Sequence, residues 1–134
     1  LATLMTDYAN DRVQFGKPIG EFQMVQQMIA DSVVEINAAR LMVLRAAWEI
    51  DRGRDARDWI SMVKIEASET LGRVADRAVQ VYGGMGYCAD SVVERLYRDA
   101  RIFRIFDGTS EIHRTVVAKS ALKRGASLWD IGAP

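Results

Sequence analysis

The stretch RIFRIFDGTSEIHR, residues 101–114, sets one carboxylate, Asp107, between an apolar run and Gly-Thr-Ser. An acid there has two jobs open to it: capping the helix that follows, or acting as a base toward something buried. Two further stretches carry groups suited to holding a ligand. In DRVQFGKPIGEFQ, residues 11–23, a guanidinium (Arg12), an aromatic ring (Phe15) and two amides (Gln14 and Gln23) surround a Gly/Pro turn. Arg12 has the fork that grips a phosphate through two parallel hydrogen bonds, although alone it reads equally well as a surface arginine. In QVYGGMGY, residues 80–87, three glycines fall within four residues. They end a helix, and they also leave bare backbone that a ligand can approach. This is not the dinucleotide fingerprint, because no strand precedes it and the spacing differs.

Other chemistry is thinly represented. His113 is the sole histidine and has no second His or Cys at ligand spacing, which argues against a metal centre. Cys88 is the sole cysteine, so no intrachain disulfide forms, and a loop thiol suits a reducing compartment. No nucleophile–base–acid triad can be assembled. Arg95, Arg98, Arg101 and Arg104 resemble a basic stripe, yet a spacing of three drifts about 60° per step around a helix. With Glu94 and Asp99 among them, they read as solvated or inter-subunit ion pairs.

The elements that must position these groups are helical. Only two prolines occur, and no run alternates cleanly with period two. Leu1, Leu4, Met5 and Tyr8 mark one face of a first helix that ends near Val13, and FGKPIG then reads as a loop. A long helix is expected from about Phe22 to Ile50, broken at DRGRDARD with Gly53 as its stop and Asp55 as the next N-cap. Residues 56–82 form another helix, which GGMGYCAD interrupts. Ser91 and Glu94 stand at capping-box spacing. A last helix is expected from Ser110 to Arg124, with Ile112, Val116 and Leu122 on its buried side and Gly125 beyond its end. The pattern predicts an all-α, antiparallel up-and-down four-helix bundle forming one domain, residues 1–134.

Composition agrees. The 134 residues are 49% hydrophobic and 27% charged, enough for a domain that buries about two-thirds of its unfolded surface. Eighteen basic and eighteen acidic residues cancel, leaving no electrostatic footprint for nucleic acid. No apolar run approaches the ~20 residues of a membrane span. The opening LATLMTDYAND lacks an initiator methionine and starts within a helix, which predicts a segment of a longer protein.

Taken together, DRVQFGKPIGEFQ, QVYGGMGY and YRDARIFRIFDGTSEIHR resemble, in order and interval, the C-terminal helical domain of acyl-CoA dehydrogenases. The similarity runs from about Leu1 to Leu122, and the tail LKRGASLWDIGAP adds nothing diagnostic. The resemblance implies a full chain with an N-terminal helical domain and a middle β-domain ahead of this bundle. It implies FAD as cofactor, an acyl-CoA substrate, a homodimer or homotetramer, and an electron-transfer flavoprotein as acceptor. The implied setting is the cytoplasm, or the mitochondrial matrix in a eukaryote. In the implied reaction a carboxylate removes the α-proton of the thioester while the β-hydrogen leaves as hydride.

That carboxylate, in the family commonly a glutamate directly before Gly-Thr, corresponds here to Asp107. Gly108 falls where the family meets the thioester. Arg12 matches the arginine reaching the FAD pyrophosphate of a neighbouring subunit, with Gln14, Phe15 and Gln23 around the same cofactor. Gln80, Gly83 and Gly84 match the segment along the adenosine half. Thr109 and Glu111 fall where the family touches the flavin nucleotide, the latter often a glutamine. Aspartate is shorter than glutamate by roughly 1.3 Å of reach. Three alternatives therefore stand beside the dehydrogenase: a flavin nitroalkane oxidase, which shares the architecture and uses an aspartate; a base at Glu66 or Glu69; and a non-catalytic helical assembly domain.

Overall fold

The computed structural model describes residues 1–128, so most of the LKRGASLWDIGAP tail's last half lies outside the described residues. Among the described residues the fold is all-α apart from one antiparallel pair of two-residue strands. The helices are α1 (Ala2–Asp11), α2 (Gln23–Asp51), α3 (Arg57–Tyr82), α4 (Gly84–Tyr87), α5 (Val92–Ile102) and α6 (Ser110–Arg124). Helix α3 is the hub and packs against the five others. Small residues on α3 allow this close approach: Met5 and Ala9 of α1 and Val93 of α5 meet Ala78 and Val81 in the central cluster. The rings of Tyr8 and Tyr82 stack beside it at 4.1 Å, and the Tyr82 hydroxyl donates to the Leu4 carbonyl at 3.0 Å.

Helices α2 and α3 form an antiparallel hairpin. Across the middle of its seam Glu35 of α2 meets Arg73 and Arg77 of α3. Near the connecting loop buried Glu49 pairs with Arg45 and Arg54, and the Arg45 guanidinium lies over the rings of Trp48 on α2 and Trp59 on α3. Gly53, at φ +69°, provides the left-handed residue that stops α2. The Ser91 hydroxyl accepts from the Val93 amide and caps α5, but Glu94 turns to Arg98 instead of closing the box.

The structure departs from the sequence expectation at four places. FGKPIG is not a plain loop: β1 (Val13–Gln14) and β2 (Lys17–Pro18) pair across a tip at Phe15 and Gly16, whose φ values of 53° and 83° suit a tight hairpin turn. GGMGYCAD interrupts α3 as expected but is not irregular throughout: after Gly83 the chain makes one further helical turn, α4, and leaves helix again at Cys88. Asp55 accepts from the Arg57 amide, while the N-cap position itself falls on Ala56. Ile112 and Leu122 are not on a buried side. They are 58% and 89% exposed, because α6 turns Ser110, His113 and Ser120 toward α3 instead.

Candidate active site

Helix α5 ends at Ile102, and a turn over residues 103–109 leads into α6. Three side chains of α3 hold this turn. Lys64 donates to the Phe103 carbonyl at 2.7 Å and places its ammonium 4.6 Å from the centre of the Phe106 ring. Glu69 draws in Arg104 of the turn at 3.0 Å and Arg114 of α6 at 3.2 Å. Ser61, buried, sits 3.2 Å from Nδ1 of His113, whose Nε2 lies 3.2 Å from the Asp107 carbonyl oxygen.

The helix cap is Thr109. Its Oγ1 accepts from the Ile112 amide at 3.2 Å, so the cap does not come from Asp107. Asp107 adopts φ +53° and Gly108 φ +88°, two consecutive left-handed residues, an arrangement that aspartate tolerates better than most and glycine best. The Asp107 side chain is exposed, and among the described residues no hydrogen bond or ion pair engages its carboxylate.

The competing carboxylates are occupied. Glu66 accepts from Thr70 at 2.9 Å and from Arg73 at 3.0 Å. Burial opposes the charge of Glu69, but hydrogen bonds from Arg114 and Ser110 and the nearby charges of Arg104 and Arg114 prevail, holding its carboxyl below the usual range. Glu111 turns back on its own amide and the Thr109 hydroxyl, which lowers its carboxyl too. An anion brought to this helix end therefore meets the charge of Glu111 together with the α6 amides.

The remaining predicted residues lie elsewhere, on two segments. Arg12, Gln14 and Phe15 sit on the β1–β2 hairpin with Gln23 opening α2, and Phe15 is 93% exposed. The Arg12 guanidinium is exposed and has no partner among the described residues. Gln80, Gly83 and Gly84 lie at the C-terminal end of α3. A Cβ added at Gly83 or Gly84 would meet nothing within 4 Å, so this backbone faces open space. Gly86 differs: a Cβ there would lie 2.8 Å from the Val79 carbonyl oxygen, a packing requirement rather than a ligand one. A free guanidinium, exposed amides, a projecting ring and bare backbone form a donor set that fits a pyrophosphate-bearing dinucleotide. The glycine loop and the Asp107 turn sit at opposite ends of α3, since Ser61 and Gln80 are about 28 Å apart along its axis.

Three contributors escaped the sequence reading: Lys64 and Ser61, both unremarkable positions on a helix, and His113, considered only as a metal ligand. Nothing in local spacing marks them: Lys64 reaches Phe103, 39 residues on, and His113 rests on Ser61, 52 residues before it.

The family model for the acyl-CoA dehydrogenase C-terminal domain matches residues 2–122. The probable acyl-CoA dehydrogenase YngJ of Bacillus subtilis is 46% identical over 116 residues, covering 87% of this chain and 30% of that protein. The caffeyl-CoA reductase-Etf complex subunit CarC of Acetobacterium woodii is 43% identical over 117 residues, covering 87% and 31%. The solved structure of butyryl-CoA dehydrogenase from Megasphaera elsdenii superposes with a TM-score of 0.88 at 36% identity, covering 90% and 32%. The chain spans less than a third of the length of each. With the match running from α1 almost to the end of α6, this chain belongs to the acyl-CoA dehydrogenase family and corresponds to its C-terminal domain.

Proposed function

We propose that this chain is the C-terminal domain of an FAD-dependent enzyme that oxidises an acyl-CoA thioester between Cα and Cβ, with Asp107 as the base. One observation carries the assignment of the base: of the three carboxylates in question, Glu66 and Glu69 are held by arginines, whereas that of Asp107 is unengaged and exposed on a turn of two positive-φ residues.

FAD, when bound, supplies the acceptor for the hydride leaving Cβ. Asp107 takes the α-proton onto its carboxylate, and the Cα–H electron pair becomes the new Cα=Cβ bond. Gly108 leaves bare backbone for the thioester. Arg12, Gln14, Phe15 and Gln23 would hold one part of FAD, Gln80, Gly83 and Gly84 another, and Thr109 and Glu111 the part nearest the base. The separation of these groups along α3 supports their serving cofactors of different copies in a homodimer or homotetramer.

A relative named as a subunit of an Etf complex supports an electron-transfer flavoprotein as the redox partner. Among the described residues no helix is long and apolar enough to cross a membrane, and the cytoplasm or mitochondrial matrix is the proposed setting.

The test is anaerobic flavin reduction by acyl-CoA in the complete FAD-loaded protein. Asp107→Asn should keep FAD bound and lose flavin bleaching by a factor of at least about a hundred. Reduction at the wild-type rate would remove Asp107 from the mechanism. The short aspartate favours one second reading, a nitroalkane oxidase. Bleaching by a nitroalkane but not by any acyl-CoA would select it.

A further inference from the structure

We infer that His113 is the positioning residue for the base, a reading that rests on Asp107 filling that role. A carbonyl oxygen only accepts, so the 3.2 Å contact to the Asp107 carbonyl requires Nε2 of His113 to carry the proton. Nδ1 is then bare in the neutral ring and accepts from the Ser61 hydroxyl, also at 3.2 Å. Ser61 is 4% exposed on α3, the most extensively packed helix, so it is a fixed post. The chain Ser61–His113–Asp107 thereby selects one tautomer and ties the turn to the hub of the fold.

The ring also shapes the turn by contact. A Cβ added at Gly108 would lie 2.7 Å from Nε2, so the imidazole lies flush against Gly108 and a side chain there would have to displace the ring. Asp107 at φ +53° is strained for a residue with a Cβ, and strained backbone persists only where its surroundings over-determine it. Here the surroundings are one hydrogen bond to the first residue and one van der Waals wall against the second. With an aspartate, whose carboxylate stands only one methylene from Cα, backbone placement sets the reach of the base. A shift of about 1 Å costs on the order of a hundredfold in rate.

The experiment uses the complete FAD-loaded protein with His113→Leu, His113→Gln and, as reference, Asp107→Asn. Leucine keeps bulk and loses both hydrogen bonds; glutamine restores an N–H donor near the Nε2 position. His113→Leu should slow anaerobic flavin reduction about ten- to a hundredfold with substrate affinity changed less than about threefold, and His113→Gln should recover most of the rate. A wild-type rate in His113→Leu overturns the proposal, as does equal slowing in both variants. A slow His113→Leu beside a wild-type Asp107→Asn would sink both the base and His113's action through it. The clamp is read independently by the ¹⁵N shifts of His113. A protonated Nε2 with a bare Nδ1 supports it whatever Asp107→Asn does, and the opposite tautomer overturns it.

Discussion

Arg77 grips Glu35 fork to fork across the α2–α3 seam, Nη2 to Oε1 at 2.8 Å and Nη1 to Oε2 at 3.1 Å, while Arg73 adds its Nε at 2.9 Å. The Arg77 hydrogen bond is the main cause holding the Glu35 carboxyl down at about 2. Burial opposes it and Arg73 assists. The folded value lies below the ordinary 4.5, so the stabilisation is complete above about 4.5 and is lost as pH falls toward 2. Glu35→Gln should therefore cost about 1–3 kcal/mol at neutral pH, a gap that closes on acidification. Urea unfolding of both proteins across that pH range checks this. A pH-independent gap would contradict it.

Thr109, not Asp107, accepts the amide at the start of α6. Thr109→Ala should cost about 1 kcal/mol of stability, whereas Asp107→Asn should stay within about 0.5 kcal/mol, since asparagine also tolerates a left-handed backbone. Calorimetry on the two variants separates the helix cap from the base without any activity assay.

The glycines of GGMG make opposite predictions. Gly84→Ala places a methyl in open space and should leave the melting temperature nearly unchanged while weakening FAD binding about tenfold in the complete protein. Gly86→Ala drives a methyl onto the Val79 backbone and should cost about 1–3 kcal/mol. If Gly84→Ala binds FAD as tightly as wild type, the adenosine assignment of this loop is wrong.

Helix α2 leaves an apolar face uncovered: Val34 is 68% and Leu41 67% exposed, with Leu44 beside Leu41. Apolar patches of that extent rarely stay open. The isolated chain should therefore self-associate, and Leu41→Lys combined with Leu44→Lys should return it toward monomer in light scattering. It should also purify without stoichiometric flavin, because the proposed FAD contacts are divided between copies and other domains. A monomeric wild-type chain at high concentration, or one carrying bound flavin, would refute the corresponding half.

Period and punctuation were enough to place every helix but the single turn α4, since a helix is a local structure with local stop signals. Gly53 and Gly125 adopt the left-handed backbone expected where α2 and α6 end, and Ser91 caps α5. The β1–β2 hairpin escaped because two-residue strands carry no periodicity, and its register depends on two positive φ values at the tip. The outward turn of Ile112 and Leu122 escaped for a different reason. An apolar stripe says that a face seeks cover, not that this chain provides it.

The candidate site divides in the same way. Asp107, the Gly-Thr-Ser after it and the two stretches proposed to hold ligand were legible as residue types at fixed intervals. Which carboxylate is free to act was not. Glu66, Glu69 and Asp107 are equivalent acids in sequence, and they differ only because folding carries Arg73, Arg104 and Arg114 to the first two. The Asp107 turn, meanwhile, is held through its backbone by His113, six positions on, which rests in turn on Ser61, 52 positions before it. An ion pair or a long-range hydrogen bond depends on distance in space, and only the packing of α5 and α6 on α3 sets that distance.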